Sequence, residues 1–271
     1  MTRLVHLTDL HFGMEHDALV GPLRNAVTGC LPDLVAVSGD LTHRARRGQF
    51  QRAMTFLHGL GVPFLIIPGN HDVPLFNLFA RFIAPFHGYR AEAATELAPM
   101  VKVGDLHLFG ANTAAPWRWR RGRLREHELG RILSAARTAP SGTVKILICH
   151  HPLEVPPGFV RGETKGARAA RSALAEAGVT IVLSGHLHHW STGLGIGPDS
   201  PRPLFQMQTG TALCAREGET HHGFAVLDIE GPQLSATPWF HDPARGDFGP
   251  SATQTFSFRD GLWHCAGAAR P

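Results

Sequence analysis

Short runs of apolar residues, several of them rich in β-branched side chains, recur along the chain. Residues 3–8, 34–38 and 64–67 are the first three runs, and their length and composition predict buried strands. Residues 17–29 and 47–60 lie between these runs and place apolar side chains at helical spacing, so we expect two helices there. The first quarter of the chain therefore alternates strand and helix.

The pattern changes after residue 70. Residues 74–87 are predicted to form a helix, with Pro74 near its first turn and an apolar face that we assign to the core. Residues 99–103 and 106–111 are predicted to form two short strands joined by a tight turn, which is typical of a hairpin.

Two further helix–strand units follow the hairpin. They are predicted as helix 123–139, strand 144–149, helix 167–179 and strand 180–184. Residues 203–240 alternate apolar and polar positions as consecutive strands do. Strand–helix alternation followed by consecutive strands predicts an α/β fold in which two sheets pack face to face with helices outside.

The length of 271 residues suits one large domain. We assign residues 1–240 to that domain and expect the last segment, 241–271, to be a C-terminal arm or an edge strand. Hydrophobic residues make up 43% of the chain and charged residues 18%, which is ordinary for a globular protein. Because the N-terminus has no long apolar stretch and no run could cross a bilayer, we expect a cytoplasmic protein without a membrane span.

Charge and cysteine usage add little to this picture. The net charge of +4 fits an anionic substrate, although surface basic residues often give the same figure. The four cysteines are widely spaced and form no Cys-x-x-Cys pair, so the sequence indicates neither a zinc knuckle nor a disulfide framework. A nuclease would favour a more extensive basic track, so we do not expect nucleic acid as a partner.

Five polar motifs rich in metal-binding side chains directly follow predicted strands. They are Asp9-Leu10-His11, Gly39-Asp40-Leu41-Thr42-His43-Arg44, Gly69-Asn70-His71-Asp72, His150-His151-Pro152 and Gly185-His186-Leu187-His188. Asp9 and His11 are two residues apart and point the same way on an extended chain, which favours one shared ion. Asp40 follows a glycine at a strand end and is the best candidate to bridge two ions. Each motif alone is weak, but the five in this order predict a dinuclear metal site.

This order of motifs resembles the calcineurin-like metallophosphoesterase superfamily over residues 3–190, and within it most resembles the bacterial class III cyclic-nucleotide phosphodiesterases. The resemblance implies a four-layer α/β/β/α sandwich of two mixed sheets and two divalent ions, for which Mn, Fe and Zn are candidates. It implies that one ion is held by Asp9, His11, Asp40 and His188, and the other by Asp40, Asn70, His150 and His186. The sequence alone does not choose between His150 and His151, and the family pattern favours His150.

The expected reaction is hydrolysis of a phosphate ester by a metal-bridging hydroxide, since the sequence offers no convincing side-chain nucleophile. His71 is the candidate proton donor, because the pKa of histidine lies near neutrality. Arg44 is a candidate phosphate ligand, although His43 stands where related phosphatases carry an aspartate that pairs with the catalytic histidine. Asp72 either orients its loop or, as we expect, caps the helix that follows.

The expected substrate is a small phosphodiester, and a cyclic nucleotide is the first candidate. The alternative functions are a UDP-diacylglucosamine-type pyrophosphatase, a phosphomonoesterase and a non-catalytic metal-binding scaffold. The sequence is also compatible with a homodimer. Residues 117–125, with Trp117, Trp119 and Arg120, either stack a base or form a solvated turn. Residues 153–168, with Arg161 and Lys165, are a candidate wall of the substrate cleft.

Overall fold

The structure is a computed structural model that describes residues 1–118, 120–156, 159, 164–196 and 204–268. Its helices are α1 (Asp17–Gly29), α2 (Arg47–His58), α3 (Leu78–Ile83), α4 (His87–Glu92), α5 (Glu126–Thr138) and α6 (Ala167–Glu176). The first seven strands are β1 (Thr2–Leu7), β2 (Leu34–Val37), β3 (Phe64–Ile66), β4 (Met100–Val103), β5 (Leu106–Ala111), β6 (Val144–Cys149) and β7 (Val179–Ser184). The remaining strands are β8 (Ser191–Ile196), β9 (Leu204–Gln208), β10 (Gly223–Glu230), β11 (Gln233–Asp242), β12 (Asp247–Pro250), β13 (Gln254–Arg259) and β14 (Leu262–Ala268).

The strands form two mixed sheets. In the first sheet the order is β14-β13-β11-β10-β1-β2-β3, and β12 pairs with β11. In the second sheet the order is β4-β5-β6-β7-β9-β8. β1, β2 and β3 are parallel to one another, as are β5, β6, β7 and β9, so the carboxyl ends of the parallel strands within each sheet lie at one edge.

Three apolar clusters separate four layers. One cluster, with Leu23 and Val37, lies between the first sheet and helices α1 and α2. A second, with Leu65 and Ile148, fills the space between the two sheets, and a third, with Leu174, lies between the second sheet and helices α5 and α6. This arrangement confirms the expected α/β/β/α sandwich.

Both faces of the central strands are buried, which explains their continuous apolar sequences. In β2, Val35 and Val37 belong to the cluster under the helices. Leu34 and Ala36 alternate with them and face the second sheet. A strand covered on both sides gives a continuous apolar run, as the sequence has here.

The segment predicted as one helix over residues 74–87 forms two shorter helices instead. α3 begins at Leu78, where the Asn77 side chain accepts a hydrogen bond from the Ala80 backbone N–H at 2.9 Å. It ends at Ile83 because Pro85 follows, and proline cannot continue a helical hydrogen-bond ladder. The expectation that Pro74 lies in the first turn is therefore wrong.

The apolar side chains of this segment are also largely outside the core. Phe76 is 75% exposed, Phe79 76% and Ile83 69%, whereas the charged Arg81 is only 2% exposed. The Arg81 guanidinium donates hydrogen bonds to two backbone carbonyls, those of Pro116 at 2.8 Å and Pro74 at 2.9 Å. The prediction of a core helix is wrong because apolar spacing does not determine which face neighbouring elements cover.

The end of the chain forms strands. β12, β13 and β14 extend the first sheet beyond β11, and β14 lies at its edge. β8, which the sequence pattern did not reveal, closes one edge of the second sheet. Among the described residues, no helix has the length and apolar character needed to span a bilayer.

Candidate metal centre

The seven predicted ligands come together at one end of the sandwich. Asp9 and Asp40 lie just beyond the carboxyl ends of β1 and β2, and Asn70 follows β3. His150 directly follows β6, while His186 and His188 follow β7. The loops of both sheets therefore contribute to a single site, as is usual at the carboxyl ends of parallel strands.

The backbone of these loops is unusual. Eight non-glycine residues of the described chain have positive φ, and five of them are predicted ligands: Asp9 (53°), His11 (49°), Asp40 (51°), His186 (75°) and His188 (52°). Left-handed backbone is costly for residues with a side chain and persists where surrounding contacts enforce it. The clustering of such residues at one point marks the centre of a functional site.

One group of ligand atoms forms around Asp9. The Nε2 atom of His188 lies 3.1 Å from Asp9 Oδ1 and 3.1 Å from Nε2 of His11. Nε2 of His11 lies 3.4 Å from Asp9 Oδ1 and 3.7 Å from Oδ2 of Asp40. These four side chains are the set that the resemblance implies for one ion.

A second group forms on the other side of Asp40. Nε2 of His150 lies 3.3 Å from Asp40 Oδ2 and 3.1 Å from the side-chain oxygen of Asn70. The ring of His186 packs against that of His150 with centroids 5.1 Å apart. Asp40 is therefore positioned between the two groups, as a bridging carboxylate would be.

Hydrogen bonds outside the centre orient the three histidines of the second sheet. Each ring has one nitrogen against an acceptor: the Ser38 carbonyl for His150 (2.8 Å), the Arg120 carbonyl for His186 (2.9 Å) and the Glu219 carboxylate for His188 (2.6 Å). A nitrogen facing a carbonyl or a carboxylate carries the proton, so the other ring nitrogen of neutral histidine is left as a lone pair. Such outer partners are typical of metal-binding histidines.

The resulting donor set fits divalent cations. Lone pairs and carboxylate oxygens at about 3 Å from one another repel unless a positive charge lies among them. Burial lowers the pKa of His188, but the nearby Asp9 carboxylate and its hydrogen bonds prevail and raise the pKa to about 10. For His150 burial is similarly outweighed by Asp40, and the pKa rises to about 9. The carboxylates thus stabilise positive charge on both rings, and imidazole, carboxylate and amide oxygen are ligand types that suit Mn, Fe or Zn.

Two glycines let the loops approach the ligands closely. A Cβ atom on Gly69 would lie 2.1 Å from Oδ1 of Asp40, and one on Gly185 would lie 1.9 Å from the hydroxyl of Thr8 and 2.5 Å from Oδ2 of Asp9. No larger residue fits at either position without moving a carboxylate. The glycines preceding Asn70 and His186 in the motifs are therefore steric requirements of the centre.

Asp72 connects the loops after β2 and β3. Its carboxylate accepts hydrogen bonds from the backbone N–H groups of Leu41 (3.1 Å), Thr42 (2.9 Å) and Gly69 (2.9 Å), and from the Thr42 hydroxyl (2.9 Å). Burial, and then the charge of Asp40, raise the pKa of Asp72 to about 7. The expectation that Asp72 caps a helix is wrong, because the cap of α3 is Asn77 and Asp72 orients the loops instead.

His71 lies at the edge of the centre, where its ring orientation is fixed. Its backbone N–H donates to Oδ1 of Asp40 at 2.8 Å, and its Nδ1 lies 2.9 Å from the backbone carbonyl of His43. The carbonyl accepts from Nδ1–H, so Nε2 is the nitrogen that can exchange a proton. The ring of His43 stacks on that of His71 at 5.4 Å, so His43, and not Asp72, supports this ring.

A cleft of about 810 Å³ opens over the centre. Asp40, Asn70, His71, His186 and His188 form part of its wall. Arg44, Arg120 and Arg216 also line it, together with Glu217, and place positive charge on its wall. Arg44 thus lies on the cleft, with its guanidinium 5.2 Å from the centre of the Phe76 ring.

His151 lies beside the second ligand group, with its ring centroid 4.3 Å from that of His186, but it does not face Asp40. Its Nδ1 lies 2.9 Å from the Thr113 hydroxyl, while the neighbouring His150 faces Asp40. His6, another buried histidine, is bonded on both ring nitrogens, to the hydroxyls of Thr209 and Ser38, each at 2.8 Å. Burial lowers the pKa of His6 to about 3, so it is a neutral structural residue.

Some residues of the site were not predicted. Glu219 and Arg216 lie in the loop between β9 and β10, and no motif in the sequence distinguishes them. Arg81 was missed because its helix was assigned to the core. Two residues singled out from the sequence, Trp119 and Arg161, lie outside the described residues, as do residues 157, 158, 160, 162 and 163 of the 153–168 segment.

The sequence pattern of the calcineurin-like phosphoesterase family matches residues 2–190, and the chain belongs to this family of metal-dependent phosphoric ester hydrolases. A probable cyclic nucleotide phosphodiesterase of Synechococcus sp. is 28% identical over 243 residues, which are 84% of this chain and 87% of that protein. Glycerophosphodiester phosphodiesterase GpdQ of Enterobacter lignolyticus is 35% identical over 80 residues, 26% of this chain and 29% of that protein.

A solved structure with the same architecture is the purple acid phosphatase PPD1 from yellow lupin seeds. The TM-score is 0.71 at 15% identity, and the matched region covers 94% of this chain and 53% of the lupin protein. At this identity the likeness shows the fold alone, and the chain spans about half of the lupin protein. The family match and the four-layer fold confirm the resemblance inferred from the sequence.

Proposed function

We propose that the chain hydrolyses a small phosphodiester, with a cyclic nucleotide as the first candidate, using two divalent metal ions. The observation that carries the proposal is the position of Asp40, whose carboxylate stands between two groups of lone-pair donors. One group contains Asp9, His11 and His188, and the other contains Asn70, His150 and His186. This donor set can hold two ions with Asp40 as the shared ligand.

The bound ions would supply positive charge against the phosphate and a nucleophile derived from water at neutral pH. The chain's own contribution is orientation. The acceptors Ser38, Arg120 and Glu219 fix three imidazoles, and the backbone hydrogen bonds to Asp72 fix the loops that carry Asp40 and Asn70. A fixed ligand set avoids reorganisation during the reaction.

His71 is the proposed proton donor to the leaving oxygen. Its Nδ1–H is engaged by the His43 carbonyl, so the proton would be donated from Nε2 of the doubly protonated ring, on the side of the cleft. Donation there would assist an alkoxide leaving group, which is a poor leaving group without a proton. Arg44 is proposed to bind a non-reacting phosphate oxygen, since its side chain lines the same cleft.

The Synechococcus relative supports the choice of substrate. It is named a probable cyclic nucleotide phosphodiesterase, and the match covers 84% of this chain. A glycerophosphodiester is the second candidate, favoured by the 35% identity to GpdQ over 80 residues. Both substrates are phosphodiesters, and the reaction at phosphorus is the same.

A hydrolysis panel on metal-reconstituted protein tests the proposal. The panel contains bis-p-nitrophenyl phosphate, p-nitrophenyl phosphate, cAMP, 2′,3′-cyclic nucleotides, a glycerophosphodiester and UDP-diacylglucosamine. We expect diesters to be cleaved faster than the monoester, with a cyclic nucleotide giving the highest kcat/KM. Preference for the monoester or for the pyrophosphate would overturn the diester assignment, and inactivity on every substrate with both ions bound would overturn the enzyme proposal.

A further inference from the structure

A group of large apolar side chains is exposed beside the cleft. We call it the apolar rim and define it as Phe76, Leu78, Phe79, Ile83 and Trp117. Their exposed fractions are 75%, 53%, 76%, 69% and 75%. Single exposed apolar residues are common on proteins, but a contiguous group marks a surface that contacts something else.

The two segments that carry the apolar rim form one surface. The ring of Trp117 stacks on Phe82 of α3, with centroids 4.0 Å apart and an angle of 22°. The buried Arg81 guanidinium donates to the carbonyl of Pro116 on one segment and to that of Pro74 on the other. The rim is therefore held in place by its supports while its apolar faces remain exposed.

The surroundings of the rim are strongly basic. Residues 73–91 and 106–125 contain neither aspartate nor glutamate. They contain seven arginines, of which Arg81 is buried and Arg90, Arg120, Arg121 and Arg123 are exposed; the other two are Arg118 and Arg125. Three of these, Arg118, Arg120 and Arg121, form a shallow pocket together with Trp117. An exposed tryptophan beside arginines is typical of surfaces that enter the headgroup region of a membrane.

The rim is continuous with the cleft over the metal centre. Leu75, which precedes Phe76, lines the cleft, as do Arg81 and Arg120. The guanidinium of Arg44, also on the cleft wall, lies over the ring of Phe76. Whatever covers the rim therefore lies at the mouth of the cleft.

We propose that the apolar rim docks the mouth of the cleft onto an anionic lipid surface. Phe79, Ile83 and Trp117 would enter the interface between headgroups and acyl chains, and the arginines beside them would meet lipid phosphates. A second copy of the chain fits less well, because a twofold contact through the rim would bring the same arginines together. The docking does not depend on which phosphodiester is cleaved.

Vesicle sedimentation of the full chain tests the proposal without any activity measurement. The probes are vesicles of phosphatidylcholine alone and of phosphatidylcholine mixed with phosphatidylglycerol. We expect the protein to sediment with the mixed vesicles and not with the neutral ones, and added salt should weaken the association. Equal sedimentation with both kinds of vesicle, or with neither, would overturn the proposal.

Variants assign the binding to the rim. We expect Phe79→Ser combined with Ile83→Ser to lower the partition coefficient about tenfold or more, because both side chains lose apolar contact. Arg121→Glu should lower it roughly tenfold by replacing attraction with repulsion. The matched controls are Leu31→Ser, at a residue that is 80% exposed before β2, and Arg137→Glu near the end of α5. Equal losses in the controls would show a general effect and contradict the proposal.

Sedimentation velocity separates lipid docking from self-association. We expect no self-association that depends on the rim. The unchanged chain and the Phe79→Ser and Ile83→Ser double variant should therefore sediment alike at every concentration. If that variant removes a dimer and leaves vesicle binding unchanged, the rim is a contact between copies and the proposal fails. Circular dichroism of the variants should match that of the unchanged chain, because the replaced side chains are exposed.

Discussion

The candidate metal centre lies in the cleft and the apolar rim lies beside it, and the two are built in opposite ways. At the centre, Asp9, His11 and His150 are fully buried, and Asp40 is 2% exposed. The Asp9 carboxylate, for example, accepts hydrogen bonds from the Thr8 hydroxyl at 2.7 Å and from the His186 backbone N–H at 2.9 Å. On the rim, Phe79 and Trp117 are about three-quarters exposed and leave their apolar faces uncovered.

This difference separates two tasks. The centre must keep carboxylates and imidazoles close together, and backbone strain and hydrogen bonds together fix ligands such as Asp9, Asp40 and His188. The rim has only to present apolar and basic groups to a partner surface, which demands little internal precision. We therefore expect substitutions at the centre to change metal content and turnover, and substitutions on the rim to change docking.

The largest effect is expected from Asp40→Asn. A neutral amide cannot hold two like-charged ions together, so hydrolysis of bis-p-nitrophenyl phosphate should be abolished and metal content should fall at both positions. Elemental analysis and steady-state kinetics measure the two effects. Asp105→Asn, in the turn between β4 and β5, is the matched control and should change neither. Full activity with two bound ions would remove Asp40 from the centre.

His71→Ala should retain metal but lower turnover by roughly 10²-fold on a substrate with an alkoxide leaving group. The loss should shrink with p-nitrophenolate, which needs little protonation to leave. The measurements are kcat for both substrates, in the variant and in the unchanged chain, and the metal content of each. His127→Ala on α5 is the control. An equal loss on both substrates would mean that His71 positions the phosphate and does not donate a proton.

A smaller effect is expected when the support of one ligand is removed. Glu219→Ala takes away the carboxylate that lies 2.6 Å from Nδ1 of His188, and metal affinity should fall by about 10-fold or more. At saturating metal, kcat should stay close to its original value. Competition with a chelator measures the metal affinity, and Glu176→Ala is the control. The Glu219→Gln variant should retain part of the affinity that Glu219→Ala loses. Unchanged affinity would show that Glu219 has no role in orienting His188.

The same contrast explains what the sequence could and could not predict. The proximity of Asp9, Asp40 and Asn70 could be predicted because each follows a strand, and the carboxyl ends of parallel strands meet at one edge of a sheet. Glu219 could not be found, since its contact with His188 joins a loop 31 residues away that carries no motif. For Phe79 the apolar pattern predicted a helix face but not its exposure, because exposure depends on which element packs there.

The smallest effect on soluble substrates is expected for Trp117→Ala. One face of the Trp117 ring is already occupied by Phe82, and its side chain lines a shallow pocket with arginines and not the cleft over the metal centre. KM and kcat for a cyclic nucleotide and for bis-p-nitrophenyl phosphate should therefore stay within about twofold, since no contact specific to either substrate is lost. Binding to vesicles containing phosphatidylglycerol should fall in the same preparation, because the indole is lost from the interface. A raised KM for the nucleotide alone would reverse this assignment and indicate that Trp117 stacks a base, which would make the rim a part of the substrate site.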